Sequence, residues 1–115
     1  MNELAPTLAD FARPVLQPLS DDTPLTRRRE ALGLAVMVWN AVILDRNGGD
    51  NVATLLEQLA RVPGPGGSIL RQLAEDLVAR KKERYPGDLR IVVRWELNET
   101  APGQLSLQVE GAPAA

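Results

Sequence analysis

The feature that most constrains this fold is an uncharged apolar run of 14 residues, 31–44. Within it Leu32, Val36, Trp39 and Ile43 recur at the spacing that places side chains on one face of a helix. The run predicts a buried helix, because a membrane-spanning helix needs about 20 such residues. Since a helix that is apolar on nearly all sides must be covered, the other elements are expected to pack around it.

Turn signals rich in Gly, Pro, Asn and Asp divide the rest of the chain into helical segments. Thr23 is a candidate N-cap, with Pro24 at the first helical position, and Asp50 and Ser68 are candidate N-caps further along. Gly33 lies inside the long helix, where it costs about 1 kcal/mol relative to Ala, so the close approach of another backbone is expected there. The predicted helices cover residues 3–12, 24–45, 51–61 and 68–85.

After Pro86 and Gly87 the apolar period changes from three or four residues to two, which indicates strands. Residues 88–97 and 104–110 both alternate, so they predict an antiparallel hairpin packed on the helices. Helices followed by strands define an α+β fold, expected as one domain over residues 1–111 with a frayed tail at 112–115. The side chains predicted to face the helices are Leu89, Ile91, Val93, Trp95, Leu97, Leu105, Leu107 and Val109.

The composition excludes several kinds of chemistry. The chain has no His and no Cys, which removes thiolate nucleophiles, zinc fingers and His-based triads. The segment from Asp45 to Asp50 resembles the start of a calcium loop but lacks an oxygen ligand at its fifth position, glycine at its sixth and glutamate at its twelfth. The Gly-rich segment before Ser68 follows no strand and has no Gly-Lys-Ser/Thr, so the dinucleotide and P-loop fingerprints fail. We therefore expect no enzyme activity, no metal and no cofactor.

Basic residues are concentrated in one part of an otherwise slightly acidic chain. The net charge is −2, yet residues 71–94 carry seven basic and four acidic side chains. Cations at a helix C-terminus complement the helix dipole, which alone explains the cluster at 80–84, and both of its lysines are expected to be exposed. Together with an outward strand face, the cluster could instead form a patch for phosphates or for an acidic protein surface. The candidate contacts are Arg80, Lys81, Lys82, Arg84, Arg90 and Arg94.

Two further features of the long helix have alternative interpretations. Asn40 is an amide among apolar residues, so it is expected to bond to backbone at a loop or hairpin edge, to line a ligand pocket with Trp39, or to be exposed to solvent. The basic run 27–29 begins this helix, where the dipole disfavours cations. It is expected to pair with Asp21, Asp22 or Glu30, or to contact a partner.

The function expected from these features is a small non-enzymatic protein-interaction or accessory domain. A lone hairpin leaves two backbone edges that need partners, so we expect a homodimer formed through the hairpin edge or through helix 24–45. The alternatives are a nucleic-acid-associated regulator that uses the basic patch, and a small-ligand binder around Trp39 and Asn40. Abundant Arg, Ala, Gly and Pro favour a bacterial source, and the lack of a signal-peptide or membrane-spanning pattern favours the cytoplasm and no membrane contact.

Overall fold

The computed structural model describes residues 3–102 and 104–113, and in them helices precede a two-stranded antiparallel sheet. This confirms the α+β class and the C-terminal hairpin packed on helices. The elements are α1 (Leu4–Phe11), α2 (Arg13–Leu16), α3 (Leu25–Asp45), α4 (Asn51–Ala60), α5 (Gly66–Arg84), β1 (Arg90–Ala101) and β2 (Gln104–Pro113).

Several predicted boundaries differ from the structure. The helix expected over 3–12 ends at Phe11, and the short α2 follows it with Pro14 in its first turn. The tail expected to fray from residue 112 instead continues β2, because Ala112 pairs with Ile91 and Pro113 also lies in the ladder. Residues 114 and 115 lie outside the described residues.

The predicted helix caps are also placed differently. Helix α3 begins at Leu25, and the Thr23 hydroxyl is 3.2 Å from that of Ser20 instead of capping the helix. Helix α5 begins at Gly66, so Ser68 lies within its first turn and not at the cap. In both cases a proline occupies the cap position, so the helix starts are set by backbone geometry and no side-chain cap is present.

Helix α3 is the centre of the fold, as the apolar run predicts. It packs against α1, α2, α4, α5 and β1. Its Trp39 is fully buried and makes an edge-to-face contact with Phe11, with ring centroids 5.1 Å apart. Tyr85 completes the aromatic cluster, 5.7 Å from Trp39 and 6.2 Å from Phe11. Three of the chain's four aromatic side chains therefore join α1, α3 and the end of α5.

Gly33 allows an aromatic ring, and not another backbone, to approach α3. A Cβ placed on Gly33 would lie 3.6 Å from Cζ2 of Trp95. The expectation of close backbone contact is therefore wrong. Trp95 lies on β1, so this contact joins the helix to the sheet.

A β-bulge changes which side chains of β1 face the core. The strand register shifts between Val92 and Arg94, and the extra residue reverses the side-chain alternation. Val92 is consequently buried and Val93 is 55% exposed, opposite to the prediction. Leu89 lies before β1 and Leu105 near the hairpin turn, and both are more than one third exposed.

Candidate functional site

The outer edge of β1 is covered by polar side chains of α3. Trp39 donates from Nε1 to the carbonyl oxygen of Arg90 at 2.7 Å. Asn40 donates to the carbonyl oxygen of Val92 at 2.9 Å and accepts from the Val92 amide at 2.8 Å. Asn40 therefore has the backbone-bonding role that was one of its predicted interpretations. The polar atoms of both candidate pocket residues bind the strand.

The first turns of α3 extend this coverage toward the hairpin turn. Arg29 donates from Nε to the carbonyl oxygen of Leu97 at 2.9 Å and from Nη2 to Oδ1 of Asn98 at 3.1 Å. Arg28 donates instead to the carbonyl oxygens of Ser20, Asp21 and Thr23. Arg28 and Arg29 thus bind mainly backbone carbonyls, whereas the sequence predicted that the basic run pairs with carboxylates or contacts a partner.

The outer edge of β2 has no comparable cover. Among the described residues, its backbone makes one hydrogen bond outside the ladder, from Thr100 Oγ1 to the carbonyl oxygen of Gln104 at 3.4 Å. Helix α1 approaches this strand at Gly111, where an added Cβ would lie 2.5 Å from Cδ2 of Leu4. Within the described ranges, no side chain from outside the hairpin hydrogen-bonds to the backbone between Gln104 and Glu110, while α1 packs beside the strand and lines a groove with Leu107 and Val109. Unbonded backbone groups at a strand edge can pair with another strand.

Lys81 is buried, although the sequence predicted an exposed lysine. The side chain is 2% exposed, and its ammonium donates to the carbonyl oxygens of Tyr85 at 2.5 Å and Asp88 at 2.9 Å. It also lies 4.4 Å from the ring centroid of Trp39, a favourable position for a cation. Burial lowers the pKa of Lys81, and the nearby carboxylate of Asp88 offsets part of that shift. Lys81 therefore ties the end of α5 to the loop that leads into β1.

Two of the predicted contact arginines also make contacts within the fold. Arg80 donates to the carbonyl oxygens of Phe11 at 3.1 Å and Asp10 at 2.9 Å, at the end of α1. Arg90 binds both carboxylate oxygens of Asp88, at 3.0 and 2.7 Å. The hydrogen bond from Arg90 holds the pKa of Asp88 below its ordinary value.

The remaining candidate contacts are exposed. Arg94 is 82% exposed and lies 4.0 Å from Glu110, and Lys82 and Arg84 are exposed at the end of α5. The structure therefore does not present the six predicted residues as one basic surface. Three of them, Arg80, Lys81 and Arg90, have side chains bonded within the fold.

Asp45 is a helix-capping side chain that the sequence argument missed. It ends α3, and its carboxylate accepts hydrogen bonds from the amides of Asn51 at 2.7 Å and Val52 at 2.8 Å. Burial acts to raise the pKa of Asp45, but these amide hydrogen bonds outweigh it and the pKa is lowered. Asp45, and not the predicted Asp50, therefore caps α4.

Within the part of the chain that the structure describes, no three His, Cys, Asp or Glu side chains are grouped as metal ligands would be. In the same residues, none of the helices combines the length and apolarity needed to cross a bilayer. Comparison with protein-family models, curated proteins and solved structures finds no match to this chain. The class defined by the fold is an α+β protein whose small sheet, within the described residues, has one edge hydrogen-bonded to a helix and one edge without such bonds.

Proposed function

We propose that this protein is a non-enzymatic interaction module that forms a homodimer by pairing the open β2 edges of two copies. The observation that carries the proposal is the difference between the two edges of the sheet. In the part of the chain that the structure describes, helix α3 supplies hydrogen-bond partners along β1, whereas the side-chain bond to the β2 backbone comes from Thr100 of the hairpin itself. An unprotected edge is a template for adding another strand.

The small size of the sheet favours a second copy as the added strand. A two-stranded hairpin is marginally stable in water, and antiparallel pairing of two β2 strands would produce a four-stranded sheet. A two-fold interface uses the same patch on both subunits and closes on itself. The dimer would therefore satisfy both open edges and leave none for further addition.

The residues of β2 are compatible with self-pairing. Residues 104–112 contain no Lys, Arg or Pro, the residues that commonly protect an edge, and Glu110 is the one charged residue of the strand. Antiparallel pairing centred on Gln108 would place Glu110 opposite the partner's Ser106 and the two copies of Gln108 opposite each other. No two like charges would then be directly opposed.

The other expected surfaces have weaker support. Helix α3 is packed against five elements, so a dimer through this helix would have to use a narrow stripe that includes Met37 and Leu44, 55% and 48% exposed. Of the six candidate nucleic-acid contacts, three side chains are exposed. In the ligand pocket predicted around Trp39 and Asn40, the polar groups of both residues are bound to β1. Both alternatives stay predictions.

The proposal is tested by measuring the mass of the protein in solution, using light scattering on a size-exclusion peak and sedimentation velocity at low salt. The test variant is Gln104→Lys with Gln108→Lys, which places four added positive charges at the paired edges. Within one copy, the substitution at 108 lies opposite Glu96 in the ladder, so the hairpin itself should tolerate it. The matched control is Gln17→Lys with Gln58→Lys, the same chemical change at two exposed positions outside the sheet.

We expect the unchanged protein and the control to be dimers at tens of micromolar. The dissociation constant of the edge variant should be at least tenfold higher, which corresponds to a loss of about 1.4 kcal/mol in the free energy of association. A monomeric unchanged protein would refute the proposal. A dimer that resists the edge substitutions would show that another surface forms the interface.

A further inference from the structure

A groove lies where the ends of α3 and α5 meet the start of α4 and the loop before β1. Its volume is about 360 Å³, within the usual range of small-ligand sites. Val42, Val52, Pro86 and Leu89 form an apolar wall. Since one water occupies about 30 Å³ in the liquid, the groove has room for a ligand of about a dozen non-hydrogen atoms.

The charged groups of this groove differ in whether they are already bonded. Asp45 has both carboxylate oxygens occupied by the start of α4. Lys81 donates to two carbonyl oxygens and lies against Trp39, so it shapes the floor of the groove without offering a donor to a ligand. Neither side chain is available for binding unless the fold gives up one of its own contacts.

Arg46 and Lys82 are the available charges. Both side chains are exposed and both line the groove. Among the described residues, neither makes a hydrogen bond or an ion pair. Burial raises the pKa of Asp45, the amide hydrogen bonds from Val52 and Asn51 lower it more, and the charge of Lys82 adds a smaller lowering, so the Lys82 ammonium acts on this end of the groove. Two unbonded cations beside an apolar wall complement a ligand with an anionic head and an apolar body.

We propose that this groove binds a small organic acid, with its apolar body against Val52, Pro86 and Leu89 and its anionic group held by Arg46 and Lys82. This inference is independent of the dimer, because none of the groove residues belongs to β2. It differs from the ligand pocket predicted around Trp39 and Asn40, which lie on the neighbouring faces of α3 and bind β1.

The probe is 2-naphthoate, which has one carboxylate and an aromatic body of about the required size, with 2-naphthalenemethanol as its neutral counterpart. Titration of ¹⁵N-labelled protein is followed by amide chemical shifts. We expect one saturable site, with shifts concentrated at residues 42–52, 81–82 and 86–89. The alcohol should bind at least tenfold more weakly, because it lacks the charge that the two cations recognise.

The test variant is Arg46→Gln with Lys82→Gln, and the matched control is Arg27→Gln with Arg84→Gln, which removes two exposed cations outside the groove. Because all four side chains are exposed, the variants should fold, and their amide spectra report this directly. The groove variant should lose at least tenfold in affinity and the control should keep it. Leu89→Asp, at a 40% exposed position, should also abolish binding by placing a negative charge in the groove.

Three results would overturn the proposal. The first is the absence of localised shifts with millimolar 2-naphthoate. The second is equal binding of the acid and the alcohol. The third is an equal loss of affinity in the groove variant and the control, which would show attraction to overall charge and not to this site.

Discussion

At the residue scale, Lys81 shows how a charged side chain can be buried in a small aliphatic core. Its ammonium has two carbonyl acceptors and an aromatic ring around it, which offset the cost of removing the charge from water. Leu70, Ala74, Leu77 and Lys81 follow helical spacing, so the sequence does place Lys81 on the buried face. This spacing was overlooked because Lys81 lies within a basic cluster, and such a cluster is typical of an exposed helix C-terminus.

We predict that Lys81→Met lowers the free energy of unfolding by about 1–3 kcal/mol, because the carbonyl oxygens of Tyr85 and Asp88 lose their donor. Lys82→Met, at the exposed neighbouring position, should change it by less than about 0.5 kcal/mol. Urea unfolding of the two variants and the unchanged protein measures the difference. Similar effects of the two substitutions would contradict the structural role of Lys81.

The lowered pKa of Lys81 adds a pH dependence to this comparison. The cost of burying the charge is fully present below the folded-state pKa and disappears above the ordinary value of 10.5. The unchanged protein should therefore gain stability relative to Lys81→Met as the pH rises toward 10.5. A stability difference that stays constant over that alkaline range would show that the pKa of Lys81 is not lowered.

At the element scale, the sequence predicted the helices and the hairpin but not how they are joined. The alternation in 88–97 identified a strand, but a bulge at Val93 changed which of its side chains face the helices. A bulge depends on pairing with β2 and on the contacts of Trp39 and Asn40 with β1. The periodicity of a single segment does not show its pairing partner or its contacts with other elements. The buried face of α3 could be predicted because its apolar residues repeat over several turns.

The cap of α4 gives a prediction at this scale. Asp45→Ala should destabilise the protein by about 1 kcal/mol, because two amides at the start of α4 lose their acceptor. Asp50→Ala is the control, since Asp50 makes no side-chain cap, and its effect should be within about 0.5 kcal/mol. Urea unfolding at neutral pH compares the two. A larger effect of Asp50→Ala would restore the assignment made from the sequence.

The same pair of variants should behave differently in acid. Because the folded-state pKa of Asp45 is lowered, its stabilising effect is present above the ordinary value of 3.8 and is lost as the pH falls through the folded-state pKa. The stability gap between the unchanged protein and Asp45→Ala should therefore shrink in strong acid. An undiminished gap there would mean that the carboxylate charge is not what holds the cap.

Two glycines in helices should respond in opposite ways to alanine. At Gly33 the added Cβ would meet Trp95 at an ordinary 3.6 Å, so Gly33→Ala should stabilise the protein by about 0.5–1 kcal/mol through helix propensity. At Gly67 it would lie 2.6 Å from the carbonyl oxygen of Val62, so Gly67→Ala should destabilise by about 1–3 kcal/mol. Urea unfolding midpoints measure both, and the same sign for the two substitutions would contradict this packing.

At the scale of the whole molecule, the chain is flat. Its extents are 43 × 42 × 21 Å and its radius of gyration is 14.2 Å, compared with about 13 Å for a compact domain of this length. The helices cover one face of a narrow sheet, and the opposite face exposes Arg94, Glu96 and Glu110. The sequence predicted the two layers but could not distinguish the two sheet edges, because that difference depends on contacts between α3 and β1 that are distant in sequence.

If two flat subunits pair through β2, thermal unfolding of the dimer must depend on protein concentration. With the usual unfolding entropy per residue for two chains of this length, a hundredfold increase in concentration should raise Tm by roughly 5 °C. The Gln104→Lys, Gln108→Lys variant should show a smaller rise, because its monomers do not gain stability from association, whereas Gln17→Lys with Gln58→Lys should match the unchanged protein. Calorimetry over that concentration range measures all three. Unfolding of the unchanged protein at the same Tm throughout would mean that the folded monomer is stable alone and that β2 keeps its open edge in solution.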